Sequence, residues 1–213
     1  MNTHEQRTEE WFRARLGVPT ASNAKHIIAK LKNGKAAQAR EDYLMRLLFE
    51  RVTGQNYPGF TNTAMQHGID NEAAAREEYE WVTGSVVEET GFLKHEEVDF
   101  GASPDGLVGV EGVDGLGLIE IKCPYSPDVH LHTILEDKVP VEHLPQIQTQ
   151  LWVTGRQWCD FVSYDPRHKG NTNIFIKRVQ RNEEFIKNFK LELADFIIEL
   201  KLKHILITQK ATP

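Results

Sequence analysis

Apolar residues recur at helical spacing through the first third of the chain and again at its end, and at strand spacing between. Thr8, with Glu9 and Glu10 behind it, predicts the N-cap of a first helix that turns Trp11 and Phe12 to the core. Gly17 and Pro19 stop it. Ser22 is the predicted N-cap of a second helix through His26, Ile27, Ile28 and Ala29. Residues 30–38 form a basic loop around Asn33-Gly34, a turn signal. Over 39–52, Tyr43, Leu44, Leu47, Leu48 and Val52 share one side of an amphipathic helix that Gly54 caps. A further helix spans about 63–82 and stops at Gly84.

The period then shortens. Val86-Val87, Gly91-Phe92-Leu93 and Val98-Asp99-Phe100 read as short strands, and residues 102–106 as a turn feeding a strand over 107–110. Asp114-Gly115 reads as a hairpin turn, with the returning strand over 116–121. A helix over 144–153 tolerates Pro145 in its first turn and closes at Gly155. Strands at 158–164 and 173–179 complete the sheet. Asn182 caps a last helix with Phe185, Ile186, Phe189, Leu193, Phe196, Ile197 and Leu200 inward. The expected architecture is mixed α/β, a central mixed β-sheet flanked by helices, in one domain over the 213 residues.

Composition narrows the class. No apolar run reaches bilayer length, and the first residues lack the basic-then-apolar pattern of a signal peptide. Cys123 and Cys159 are too few for a disulfide framework or a cysteine-rich zinc site, so a cytoplasmic setting is expected. The net charge of −6 counts against a partner bound through phosphates. Metal-binding carboxylates cancelled by their cation, or basic residues gathered on one face, would reconcile the two.

The chemistry concentrates in Ser103-Pro104-Asp105-Gly106 and Glu120-Ile121-Lys122. Glu120 and Lys122, two apart on a strand, share a face, while apolar Ile119 and Ile121 mark that strand as buried. A buried charged pair needs compensation. Asp105, at the turn end of the paired strand, reaches the same place. Two carboxylates beside a lysine suit a hard divalent cation and phosphodiester hydrolysis. Lys122 then acts as an ammonium that stabilises developing charge, or as a base if its pKa is lowered; the two neighbouring anions favour the first. Glu72, among the small residues of 68–75, is the expected third carboxylate. Gln146 and Gln150 share a helix face, whereas Gln148 is expected on the outer one. Met65 reads as a core methionine, with packing against a base as the alternative. His130-x-His132 is expected on a loop or helix surface.

Taken together, Arg15 to Ser22, Gly68 to Ala75, Ser103 to Gly106, Glu120 to Pro124, and Gln146 to Gln148 with Leu151-Trp152-Val153-Thr154 are five ordered blocks. They resemble the lambda-exonuclease-like (YqaJ-type) phage recombination nucleases of the PD-(D/E)xK superfamily. The resemblance implies a restriction-endonuclease-like core and a 5′→3′ exonuclease on linear duplex DNA. Such an enzyme releases mononucleotides and leaves a 3′ single strand for an annealing protein. It implies Mg2+, with Mn2+ as substitute, in a two-ion site held by Asp105, Glu120 and the Ile121 carbonyl, with Glu72 as outer or second-ion ligand. Lys122 takes the catalytic lysine position. Arg15, Thr20, Ser22 and Ser103 fall where the family gathers the 5′-terminal phosphate, with Gln146 beside it. A homotrimeric ring around the duplex is also implied, with Lys30, Lys32, Lys35 and Arg40 as candidates for its channel side. An endonuclease on the same core, or a non-catalytic end-binding protein, is the alternative.

Overall fold

The computed structural model describes residues 6–59, 62–110 and 113–210. The helices are α1 (Glu9–Arg15), α2 (Ala24–Ile27), α3 (Gln38–Thr53), α4 (Thr63–Thr83), α5 (Pro127–Glu136), α6 (Leu144–Thr154) and α7 (Glu183–Lys210). The strands are β1 (Val87–Glu88), β2 (Leu93–Lys94), β3 (Gly101–Ala102), β4 (Gly106–Val110), β5 (Val113–Lys122), β6 (Trp158–Tyr164) and β7 (Ile174–Gln180). The main sheet runs β1-β4-β5-β6-β7, and β2 and β3 form a separate ribbon. Only the β5–β6 pair of the main sheet is parallel. A parallel pair needs a long crossover, and α5 and α6 lie in it.

Alternation along β5 sorts the layers. Ile119 and Ile121 face α4, packing in one cluster with Ala75 and Tyr79. Leu118 faces the other way, onto Ile147 and Leu151 of α6. A third core joins Tyr43, Leu44, Leu47 and Leu48 of α3 to Ile186, Phe189, Leu193, Phe196 and Leu200 of α7, with Trp152 from α6. Asn182 caps α7 as expected, its Oδ1 accepting from the Phe185 amide at 2.9 Å. Arg40 is taken up by this packing: it pairs with Glu199 at 2.7 Å and lies over the Phe196 ring.

Several expectations about the fold need correction. Asp114-Gly115 lies within β5; the reversal falls between Val110 and Val113, which pair, so residues 111–112 at its tip are outside the described residues. The β4–β5 register shifts between Val108 and Val110, where Gly109 sits at φ +97 with no room for a Cβ against the Gly115 carbonyl. Ser22 caps no helix: it lies within a 3-10 turn, and α2 starts after Asn23 without a side-chain cap. Helix α5 was not foreseen, and on it His130 is fully buried between the Ser163 hydroxyl (2.8 Å) and the Thr172 carbonyl (2.9 Å), while His132 is exposed. Gln148 is also buried, donating to the Gln180 carbonyl at 2.9 Å and accepting from the Asn182 amide at 2.7 Å. It ties α6 to the start of α7.

Strand β5 comes so close to β6 that Gly117 lies under the Trp158 indole, and a Cβ there would sit 2.2 Å from the ring. Trp158 is buried, with the Arg178 guanidinium 3.7 Å over its ring, so it has little freedom to yield. Gly117→Ala should therefore lower stability by about 1–3 kcal/mol, read as a reduced urea midpoint at unchanged slope. An unchanged midpoint would mean that Trp158 is free to move.

Candidate active site

The β4–β5 ladder pairs Gly106 with Ile119 and goes no further, while β5 stays paired to β6 as far as Lys122. A gap therefore opens beside Glu120, Ile121 and Lys122. Asp105, the residue before β4, closes it by accepting a hydrogen bond from the Ile121 amide at 2.7 Å. The i, i+2 alternation places Glu120 and Lys122 on the α6 side, as the sequence predicts. Glu120 is 1% exposed. Its Oε1 accepts from Lys122 Nζ and from Gln146 Nε2 (2.6 Å), and its Oε2 from Gln150 Nε2 (2.6 Å). These charge-assisted bonds offset the cost of burying the carboxylate.

A cleft of about 470 Å³ opens over this group. Its walls carry Asp105, Glu120 and Lys122, Gln146 and Gln150 from α6, Met65 and Glu72 from α4, and Trp11, Arg15, Ser22 and Ser103. Met65 is exposed there and not in the core. Trp11 is the main feature missed in the sequence. It turns to the cleft instead of the core: its indole Nε1 donates to Ser103 Oγ at 3.0 Å, and Arg15 stacks on its ring at 4.1 Å. Arg15 also donates to Ser103 Oγ at 3.0 Å. Phe12 is exposed. Gln6 fastens the segment before α1 to the strand end that bears the site, donating to the carbonyls of Pro104 (2.8 Å) and Thr90 (3.0 Å). Only tertiary contact brings these residues together, so no local pattern announces them.

Thr20 stands behind the cleft. It is buried, its amide donates to Tyr43 Oη at 3.0 Å, and its Oγ1 lies 3.2 Å from Ser22 Oγ. Glu72 lines the cleft but is engaged by Arg7 and by Arg76. Among the described residues, no three Asp, Glu, His or Cys side chains converge as a metal-binding group. Lys32 is exposed on the loop after α2 and is not part of the cleft wall, and Lys30 pairs with Glu192.

Electrostatics separates the roles. Burial, and then Glu120, hold the Asp105 carboxyl well above the ordinary range, against Lys122 and the Ile121 amide. A buried carboxyl raised by its neighbour in this way belongs to a donor set that a divalent cation relieves, so Asp105 and Glu120 fit such an ion. Burial would depress the Lys122 ammonium, but Glu120 and Asp105 more than reverse it, and Lys122 stands above its usual value. This favours an ammonium over a base. Cys123 supplies no thiolate: burial, then Glu72 and Asp105, push it up to about 12. Arg15 is lowered by burial to about 10 and remains a cation at neutral pH. Partly stripped of water and forked, it suits an oxyanion.

Known proteins share this fold. The YqaJ-like viral recombinase domain matches residues 10–157. The chain belongs to the YqaJ-like viral recombinase family. Its structure is similar to the alkaline exonuclease LHK-Exo of Laribacter hongkongensis, at 42% identity and a TM-score of 0.86 over 96% of this chain and 98% of that one. LHK-Exo has also been solved in complex with dAMP. A phage-related exonuclease of Haemophilus somnus shares the fold alone, at 16% identity and a TM-score of 0.69, over 91% of this chain and 96% of that one. An uncharacterised protein, R354, of Acanthamoeba polyphaga mimivirus is 28% identical over 181 residues, 81% of this chain and 31% of R354. The chain thus spans about a third of that relative's length. The fold expected from the sequence, a mixed sheet flanked by helices with a restriction-endonuclease-like core, is the one these exonucleases share.

His143, stacked on Phe161 beside the site, is lowered to about 4 by burial and then by Lys122. The folded protein keeps it neutral while the unfolded chain protonates near 6.5. Its contribution is therefore present above pH 6.5 and is lost as pH falls towards 4. The fall in urea midpoint between pH 7.5 and pH 5 should be smaller in His143→Gln than in the parent. An equal or larger fall in the variant would contradict this.

Proposed function

We propose that the chain is a divalent-cation-dependent 5′→3′ exonuclease on linear double-stranded DNA, acting as one nuclease domain over residues 1–213. The observation that carries this reading is one cleft holding Asp105, Glu120 and Lys122 together with Arg15 and Ser103. The first three suit phosphodiester hydrolysis. The last two suit the terminal phosphate that marks a strand end, which an enzyme cutting within duplexes has no need to grip. The likeness to an exonuclease solved with a mononucleotide, dAMP, supports the same product class.

Asp105, Glu120 and the Ile121 carbonyl would hold Mg2+, for which Mn2+ substitutes, and Glu72 would serve a second ion once freed from Arg7 and Arg76. When bound, the ion stabilises charge on the scissile phosphate and acidifies a bound water. Lys122, held as an ammonium, adds a fixed positive charge where the transition state gains negative charge. Arg15 offers its fork to the 5′-phosphate. Ser22 and Ser103 add hydroxyls, Thr20 backs Ser22, and Gln146 stands between the phosphate site and Glu120. Lys32 is the candidate for a duplex contact outside the cleft. A homotrimeric ring and a single-strand annealing partner complete the proposal. A closed ring would explain how an acidic protein stays on DNA.

Asp105→Asn and Lys122→Met should each lower kcat at least a hundredfold, with folding retained. Substantial turnover in either would remove that residue from its role. Arg15→Ala should cost more on 5′-phosphorylated ends than on 5′-hydroxyl ends, and equal losses would refute the phosphate assignment.

A further inference from the structure

Gln150 lies in the most deeply buried stretch of α6 and is 1% exposed. Its Nε2 donates to Glu120 Oε2 at 2.6 Å, while its Oε1 is buried and has no hydrogen-bond partner among the described residues. The amide cannot turn over to satisfy that oxygen. The reversed orientation would set Gln150 Oε1 against the Glu120 carboxylate and break a charge-assisted bond. A buried acceptor left unmet is unfavourable, and an apolar side chain would fill the same space without it. Stability of α6 therefore does not account for a glutamine here.

The bond to Glu120 does. Lys122 and Gln146 both hold Oε1 of that carboxylate; among the described residues, Gln150 is the donor on Oε2. Donors on both oxygens, one from β5 and two from α6, set the plane of the carboxylate as well as its position. We propose that Gln150 is a positioning residue: it fixes the orientation of Glu120 and so prepares it to bind a divalent cation. The proposal rests on the reading of Glu120 as part of the hydrolytic centre. Hydrogen-bond partners of metal-binding carboxylates commonly change cation affinity or activity by about ten- to a hundredfold when removed.

The test uses the full chain. Calcium is titrated calorimetrically into parent, Gln150→Met and Gln150→Asn proteins, and kcat and KM are measured on linear duplex DNA with magnesium. Gln150→Met, with no donor, should bind calcium about ten- to a hundredfold more weakly. Its kcat should fall by a comparable factor at unchanged KM for DNA. Gln150→Asn keeps an amide one methylene short and should fall between. A folded variant of either kind that binds calcium and turns over like the parent overturns the proposal. So does a loss confined to KM, or failure of both variants to fold, either of which would make Gln150 a structural residue. Glu120→Gln is measured beside them. If it binds calcium and cleaves normally, the reading of Glu120 itself fails and the proposal falls with it.

Discussion

A carboxylate held in the interior sets the terms for this molecule. Glu120 is a carboxylate on a strand packed on both faces, held there by donors from Lys122 of β5 and from Gln146 and Gln150 of α6. Removing any one partner leaves charge uncompensated in a poorly screened place, so the surrounding layers must hold their geometry. Helix α6 reaches Glu120 at one level through Gln146 and a turn lower through Gln150. It is itself tied to the start of α7 by Gln148. The long last helix thus bears indirectly on a site that it does not line.

Departure of β4 from β5 is the second constraint. Because the ladder ends at Gly106–Ile119, the Ile121 amide is free to take a side-chain acceptor, and Asp105 is the residue in place to supply it. The same divergence opens the cleft to α1, whose Arg15 and Trp11 converge on Ser103, two residues before Asp105. One short turn therefore carries both the carboxylate that meets Ile121 and the hydroxyl on which Trp11 and Arg15 converge. In the proposed reading, two residues of backbone would couple end recognition to hydrolysis.

Legibility in the sequence followed locality. Glu120 and Lys122 were readable because strand alternation is a rule about neighbours, and the helices of 39–52, 63–82 and 144–153 because their apolar spacing is periodic. Helical apolar spacing directs Trp11 to the core, where an aromatic at such a position usually goes; the approach of Ser103, 92 residues away, turns it to the cleft. Gln148 carries the same side chain as its two neighbours at i±2, and polarity alone could not tell a buried bracket from a surface residue. Asp114-Gly115 is a strong turn signal that a longer β5 overrode. Helix α5 has no readable period because its apolar residues are broken by His130 and His132, the first buried through side-chain bonds that no pattern encodes.

The most direct measurement of the central claim is magnesium-dependent digestion of a linear duplex labelled separately at each end, with and without a 5′-phosphate, beside a closed circle. The account predicts loss from the 5′-phosphorylated strand with the circle untouched, and no loss once the magnesium is chelated. Cutting of the circle would contradict it, keeping the Asp105, Glu120 and Lys122 centre but assigning it to an enzyme that does not need an end.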